Sequence, residues 1–458
     1  MSQSVAAVIL AAGKGTRMKS ELPKGMHLVC GVPIIDLIGR AMEGAGAAPV
    51  VLVVGHGGDA IRTHFGGRFA YAEQREQLGT GHAAQCAVPA LGDFDGHVIV
   101  GTGDSPLVTA EAMGALVKRR GETAADMVIG TCILDDPHGY GRVVRDANGV
   151  SAIVEHNDAN DEQLELNEIN AAFYCFGASI LRKYLPDLKD DNAKREFYLT
   201  DLVAMIASDG GKIETFVFDD ADLMRGVNDR WQLAEAGEIL RKRLLKRHAM
   251  NGVTIVDPGT TFVGVDVEIA ENTVIEPMTV LEGFTRIGSA CVIGPMTRMS
   301  DCEIGSACTI FMSHLARATI GAGTRIGPYA NVRPHTKIGE GVKIGNFVEL
   351  KNAEVGPGTS LSHLTYVGDA TLGKDVNIGA GTITCNYDGF SKNRTIIGDG
   401  AFVGSNSTLV APVEIGAGSF VAAGSTITED VPADALAVGR TRQTNKEGWA
   451  ARWRSRKS

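Results

Sequence analysis

Residues 320–351, IGAGTRIGPYANVRPHTKIGEGVKIGNFVELK, return an aliphatic side chain at every sixth position: Ile320, Ile326, Val332, Ile338, Ile344 and Leu350. Outward from this stretch the same beat is found at Val263, Ile269, Ile275, Leu281, Ile287 and Ile293, and again at Ile397, Val403, Leu409, Ile415, Val421 and Ile427. A period of six fits neither the 3.6 of a helix nor the simple alternation of a strand. It predicts a parallel β-helix, in which a single coil cannot bury its aliphatic residues and must stack on its neighbours. On such a monotonous scaffold, function is read from whatever breaks the pattern.

At 458 residues the chain calls for two or three domains. The net charge of −10 argues against broad binding of nucleic acid or anionic membrane, so an anionic substrate must meet local basic groups. Eight cysteines with no C-x-x-C pair point to a reducing compartment rather than a disulfide frame or a zinc site. The apolar run from Val5 to Ala12 is too short to span a membrane and reads as a first strand of a soluble, cytoplasmic protein.

That strand opens VAAVILAAGKGTRMKSELPK, residues 5–24, and runs into a glycine-rich loop at Gly13–Gly15 followed by Arg17 and Lys24. Backbone N–H groups in such a loop can cradle phosphate while cations take up the remaining charge. Further strands are expected at Val50–Val54 and His97–Gly101. Because ligands collect at the carboxyl ends of strands in open α/β sheets, Asp104, just past the latter, stands where a hard cation could be held against phosphates. Taken alone, such an Asp is as readily a turn residue, and the segment EQREQLGTGHA with Gln74, Gly79 and Thr80 a plain loop before a helix. Residues 229–250 carry Leu233, Gly237, Leu240 and Leu244 on one helical face, with basic residues in the second half. They are expected to form a rigid connector ending near Gly252.

The string L-A-A-G-x-G-T-R-M followed by L-P-K resembles the opening of sugar-1-phosphate nucleotidyltransferases, which use a Rossmann-like α/β domain. With DPHGYGRVV around Gly141, AIVEHNDA around Glu155, EINAAFY around Asn170 and RGVNDRWQ around Asn228, the whole chain resembles the bacterial bifunctional family that makes UDP-N-acetylglucosamine for envelope precursors. The resemblance implies a uridylyltransferase domain over residues 1–228, a helical linker over 229–250 and a left-handed hexapeptide β-helix with N-acetyltransferase activity over 251–458. It assigns the uridine nucleotide and sugar to Leu10, Ala11, Ala12, Gly13, Lys24, Gln74, Gly79, Thr80, Gly103, Gly141, Glu155 and Asn170, magnesium to Asp104 and Asn228, and stabilisation of the transferring phosphate to Arg17. Thr102 stands where the family is expected to carry Tyr, which puts a ring contact with the nucleotide-sugar in doubt. The implied substrates are glucosamine 1-phosphate, acetyl-CoA and UTP, and the implied assembly is a homotrimer with acetyl-transfer sites between subunits.

With three hexapeptides to a coil, as in this family, Arg333 and Lys351 fall on one outer edge about 4.8 Å apart. Unpaired, they would repel by roughly 1 kcal/mol in water and about 3 kcal/mol at an effective dielectric near 20. They are expected either to hold an anion such as a phosphate or to splay into solvent. Near them the repeat slips by one residue at Leu350–Val355 and at Val367–Leu372, and Glu349, His363, Tyr366 and Asn377 gather in the same neighbourhood. A His with pKa near 6.5 can accept a proton at physiological pH. By resemblance His363 is the base, Arg333, Lys351, Tyr366 and Asn377 bind the amino-sugar phosphate, and Glu349 orients His363 or the amine. The interruption GAGTITCNYDGFSKNRTIIG would contact acetyl-CoA through Ala380, Asn386 and Tyr387, joined by Ser405, Ala423 and Arg440 of the basic tail. The rival readings are a single-function nucleotidyltransferase whose β-helix serves assembly, and a non-catalytic scaffold subunit. His363 and the NYDG loop speak against the first, and the set Arg17, Lys24, Asp104 and Asn228 against the second.

Overall fold

The structure is a computed structural model that describes residues 4–192 and 194–456, so Lys457 of the basic tail lies outside them. The chain forms two compact units, Met1–Arg241 and Lys242–Ser458. The helix Arg230–Met250 runs across the boundary, and Gly252, at φ 86°, ends the turn that follows it.

In the first unit the main path of the sheet orders its strands as Ile213–Val217, Met127–Ile133, Glu168–Gly177, His97–Thr102, Val5–Leu10, Ala47–Val54 and Ala70–Glu73. Glu168–Gly177 runs antiparallel to both neighbours and the remaining pairings along this path are parallel. Ala6, Ala7, Val8 and Ile9 are buried, as are Val51 to Val54 and Val98 to Val100, which is why these strands read as continuous apolar runs rather than alternations. The first strand lies between the second long strand, Ala47–Val54, on one side and the later His97–Thr102 on the other, so the winding reverses there. A crevice opens at the carboxyl ends of Val5–Leu10 and His97–Thr102.

The second unit is a left-handed parallel β-helix running from Thr254–Ile255 to Leu436–Ala437. Each short strand pairs with the strand one coil away, so that Ile275, Ile293, Ile310, Ile326 and Ile344 stack into one buried column. Threonines at the inner corners serve the backbone: Thr273, Thr324 and Thr359 each donate to a carbonyl of the next coil and accept from the N–H of Cys291, Val342 and Val376. Val332 faces Leu350, an offset of 18, whereas Ile338 faces Val355, an offset of 17, so the slip at Leu350–Val355 is a corner shortened by one residue. Arg286 faces Glu303 and Thr309 faces Arg325, offsets of 17 and 16, which explains why the six-residue beat stops at Ile293 and resumes at Ile320. Leu372 faces Ile397, and this offset of 25 accommodates the loop around Asn386–Asn393.

Burial first and the neighbouring Arg247 second push the His248 imidazole at the base of the β-helix down to about 4 from its ordinary 6.5, and among the described residues its Nε2 has no hydrogen-bond partner. A base with a depressed folded-state pKa stabilises the fold fully above pH 6.5 and loses that contribution as pH falls from 6.5 toward 4. The melting temperature of the β-helix unit should therefore drop by several degrees between pH 7.5 and 4.5, and His248→Leu should reduce that drop. An identical drop in both proteins would exclude His248 as the titrating group.

Candidate active sites

The crevice of the α/β unit is lined by Leu10, Ala11, Ala12, Gly13, Lys24, Gln74, Gly79, Thr80, Thr102, Gly103 and Asp104, together with Gly25, Gln77, Ala83 and Glu196. Its floor depends on close backbone approach. A Cβ at Gly103 would stand 2.7 Å from that of Ala11, and Gly79, at φ 112°, lies where a Cβ would stand 2.5 Å from the Phe197 carbonyl. Nothing lies within 4 Å of where a Gly13 Cβ would be, so that position is open. The loop N–H groups of Ala12, Gly13 and Lys14 donate to no backbone carbonyl among the described residues, which leaves them available to an anion. Gln74 is buried and held by its side-chain amide, which donates to the Gly79 carbonyl at 3.0 Å. Thr102 turns its hydroxyl to Ser105 at 3.2 Å and presents no ring.

Lys24 Nζ lies 2.6 Å from Asp104 Oδ2 and 2.8 Å from Asn228 Oδ1. The residues proposed from sequence as magnesium ligands thus converge, and a cationic group already sits between their oxygens. One carboxylate and one amide carbonyl are hard donors suited to magnesium, which takes few protein ligands and completes its shell with water and phosphate oxygens. Among the described residues no group of three or more His, Cys, Asp or Glu converges as a metal cluster. Arg17 is exposed on the short turn Thr16–Met18 and has no side-chain partner among the described residues.

Gly141, Glu155 and Asn170 form a second group. A Gly141 Cβ would lie 3.5 Å from Glu155 Oε2, and Asn170 N donates to the Gly141 carbonyl at 2.9 Å. The segment Leu199–Thr200 ties this group to the crevice, because Leu199 N donates to Thr80 Oγ1 and Thr200 Oγ1 donates to Glu155 Oε1. Burial pushes the Glu155 carboxyl up, while the Thr200 hydroxyl and Lys194 oppose it.

On the β-helix, Val332 faces Leu350, so Arg333 and Lys351 follow at equivalent positions one coil apart. The expectation of two unpaired cations needs correction: Arg333 Nη1 donates to Glu349 Oε1 at 2.9 Å, because Glu349 is a strand neighbour within reach of the longer guanidinium. Glu349 is bonded to Arg333 and not to His363. The side-chain partner of His363 is Asn346, in register with it one coil away, with Oδ1 and Nδ1 2.7 Å apart. Lys351 has a further cation beside it. The Lys392 amine is the main cause of its ammonium being held below the usual lysine range, followed by desolvation and by Arg333, with Asp369 opposing. Tyr366 lies over the small Gly368, the register partner of Lys351.

Asn377 is on a different face, preceding Ile378 in the column of Leu361 and Val403, and is not brought to these cations. Ala380, Ser405 and Ala423 each lie two residues past Ile378, Val403 and Val421, as His363 lies two past Leu361, so these four form a row along the helix axis. Arg440 joins the end of that row, its Cδ 3.7 Å from where a Gly424 Cβ would stand. Asn386 is buried and donates its side-chain amide to Asp369, so it anchors the loop, while Tyr387 is exposed and donates to the Gly389 carbonyl. Sequence reasoning missed Lys392, Asp369 and Asn346. The offset of 17 from Asn346 to His363 could have found the last of them.

Residues 7–159 match the family of MobA-like NTP transferase domains, and residues 317–352 and 394–429 match the bacterial transferase hexapeptide (six repeats). Bifunctional protein GlmU of Pelobacter propionicus is 49% identical over 458 residues, covering 99% of this chain and 100% of that protein. The namesakes from Carboxydothermus hydrogenoformans and Geobacillus thermodenitrificans are 48% and 47% identical, covering 96% and 98% of this chain and 99% and 98% of their own lengths. A nucleotidyltransferase crevice and a hexapeptide β-helix carried on one chain, with that identity sustained from end to end, make this protein a member of the bifunctional GlmU family.

Proposed function

We propose that the chain makes UDP-N-acetylglucosamine in two steps, acetylating glucosamine 1-phosphate from acetyl-CoA on the β-helix and joining the product to the uridylyl group of UTP in the α/β unit. The observation that carries this reading is the cluster of Arg333, Lys351 and Lys392 on coils neighbouring that of His363, since a structural solenoid does not need three neighbouring cations. They hold the sugar phosphate with help from Tyr366, while Glu349 fixes the Arg333 guanidinium. The free amine attacks the thioester carbonyl. As the N–C bond forms, His363 Nε2 takes the amine proton, the C–S bond breaks and the CoA thiolate leaves to be protonated. The row Ala380, Ser405, Ala423 leaves a shallow path of small side chains for the pantetheine arm, ending at Arg440, whose guanidinium meets the coenzyme's phosphates.

On this reading the protein acts as a homotrimer, in which Asn377, on a different face from the cations, would meet the sugar bound to a neighbouring copy. A row of large residues at turns supports self-association: Met278, Met296, Tyr329, Phe347 and Leu364 all have φ between 45° and 58°, and all are more than half exposed. Tyr329 and Phe347 stack with centroids 5.4 Å apart. Bulky side chains are unfavourable in the left-handed region, and their placement there in an exposed apolar row suits a surface covered by another chain.

In the second step the oxygen of the sugar phosphate attacks the α-phosphorus of UTP and pyrophosphate leaves. The loop N–H groups at Ala12 and Gly13, with Lys24 and Arg17, neutralise and orient the phosphates, and Glu155 and Asn170 receive the sugar. Asp104 and Asn228 would hold a magnesium ion, which supplies positive charge to phosphate oxygens when bound. All eight cysteines are free thiols, as suits a cytoplasmic protein, and among the described residues no helix is long and apolar enough to cross a membrane.

Incubation with glucosamine 1-phosphate, acetyl-CoA, UTP and magnesium should yield UDP-N-acetylglucosamine, and omission of any one should abolish it. Formation without acetyl-CoA would overturn the scheme. Asp104→Ala should lower uridylyl transfer by roughly a hundredfold or more while leaving CoA release intact; equal loss of both in folded protein contradicts separate sites. Lys351→Ala should raise KM for glucosamine 1-phosphate roughly ten- to a hundredfold, with KM for acetyl-CoA nearly unchanged. The unliganded variant should melt no lower than the parent, because a lysine crowded by Lys392 is removed. An unaltered KM would mark the cluster as ordinary surface.

A further inference from the structure

We infer that Asn346 is a positioning residue for acetyl transfer, whose side-chain oxygen fixes His363 in the tautomer that carries its proton on Nδ1 and leaves the lone pair on Nε2. The inference rests on the reading of His363 as the base and adds the group that makes it one.

Asn346 and His363 belong to the 13-residue strands Lys343–Val355 and Ser360–Leu372, which pair in register across two faces of the coil. At this position the two side chains meet at 2.7 Å. The His363 backbone is held separately by Thr365 Oγ1, which donates to its carbonyl at 2.7 Å. Among the described residues the imidazole has no other side-chain partner. The coil above presents Ala380 at the equivalent place, and the flanking strands carry Lys343, Glu349, Lys351, Glu354 and Asp369. Of these, Glu349 is bonded to Arg333, and Asp369 to Asn352 and Asn386. The ring is thus oriented by a neutral amide alone.

An amide oxygen only accepts hydrogen bonds, so the Nδ1 that faces it carries the hydrogen, and a neutral imidazole has only one. Nε2, the other nitrogen of the exposed His363, is then the one able to take the proton from an attacking amine. A carboxylate in place of Asn346 would fix the same tautomer but would also favour the imidazolium and leave less free base at neutral pH. The opposite amide orientation, with Nδ2 donating to Nδ1, would put the hydrogen on Nε2 and block proton acceptance.

The two orientations respond differently to Asn346→Asp, because the near-isosteric carboxylate can only accept. The test is the pH profile of CoA release for the full-length wild type, Asn346→Ala, Asn346→Asp and His363→Ala. Asn346→Ala should lower kcat about tenfold, with each KM changed less than about threefold. Asn346→Asp should stay active at high pH, with the acidic limb of its profile moved up by about one pH unit. A wild-type kcat in Asn346→Ala, an unmoved limb in Asn346→Asp, or an Asn346→Asp protein inactive at every pH would overturn the inference. His363→Ala separates the two levels: a wild-type rate there would sink the reading of the base itself, whereas loss of rate there with unaltered Asn346 variants would sink only the role of Asn346.

Discussion

The backbone ladder between successive coils is the constraint on which the β-helix unit depends. Once Ile275, Ile293, Ile310 and their successors must stack, each residue's face and height follow from its offset of 16 to 18 positions. The ladder fixes which outward positions stand next to one another along a column. His363 meets Asn346 below and Ala380 above because Leu361 pairs with Ile344 and Ile378. A shortened corner or an inserted loop is then the only local means of bringing in a group that the period would not supply, and both occur around this cluster.

The crevice of the α/β unit obeys a different constraint. There the reversal of winding beside Val5–Leu10 leaves a gap above two parallel strand ends, and glycines at positions 79 and 103 let backbone approach where any side chain would collide. Charge is balanced within the site, since the Lys24 ammonium is shared by Asp104 and Asn228. A cation entering between those oxygens competes with Lys24, and an arriving phosphate offers the lysine an alternative partner.

The parallel β-helix was legible in the sequence because period six is self-reporting, as was the loop at Gly13 because a strand leads into it, whereas the Rossmann-like domain and the hand of the β-helix came through the resemblance. The lining at Gln74, Gly79 and Thr80 was legible only through the resemblance, since nothing in EQREQLGTGHA announces that Phe197 packs against it. Counting hexapeptides placed Arg333 beside Lys351 but could not show that Arg333 reaches Glu349, because a pairing between side chains depends on their length and direction and not on register alone. Lys392 was invisible for another reason. It sits in the long insertion between Leu372 and Ile397, where the period carries no information, and returns to Lys351 only because the loop closes on itself through Asp388, which accepts from Phe390 N and Ser391 N.

That closure explains how a repulsive arrangement persists. Lys392 lies close enough to Lys351 to disfavour the Lys351 charge, yet Asp369 is held as an anion, against the upward push of its burial, by the side-chain amides of Asn352 and Asn386. Asn386 is also the base of the loop that carries Lys392, and its carbonyl accepts from Asn393 N. One carboxylate therefore both offsets the cations and ties down the segment that delivers one of them. The balance is incomplete, since the Lys351 ammonium remains held below its usual range, and a doubly charged phosphate placed among Arg333, Lys351 and Lys392, as proposed, would relieve the remaining repulsion. On the proposed reading, binding of that anion would be favoured by direct hydrogen bonds and by relief of repulsion already present in the free protein, and the second contribution would require that the loop stay closed before the ligand arrives.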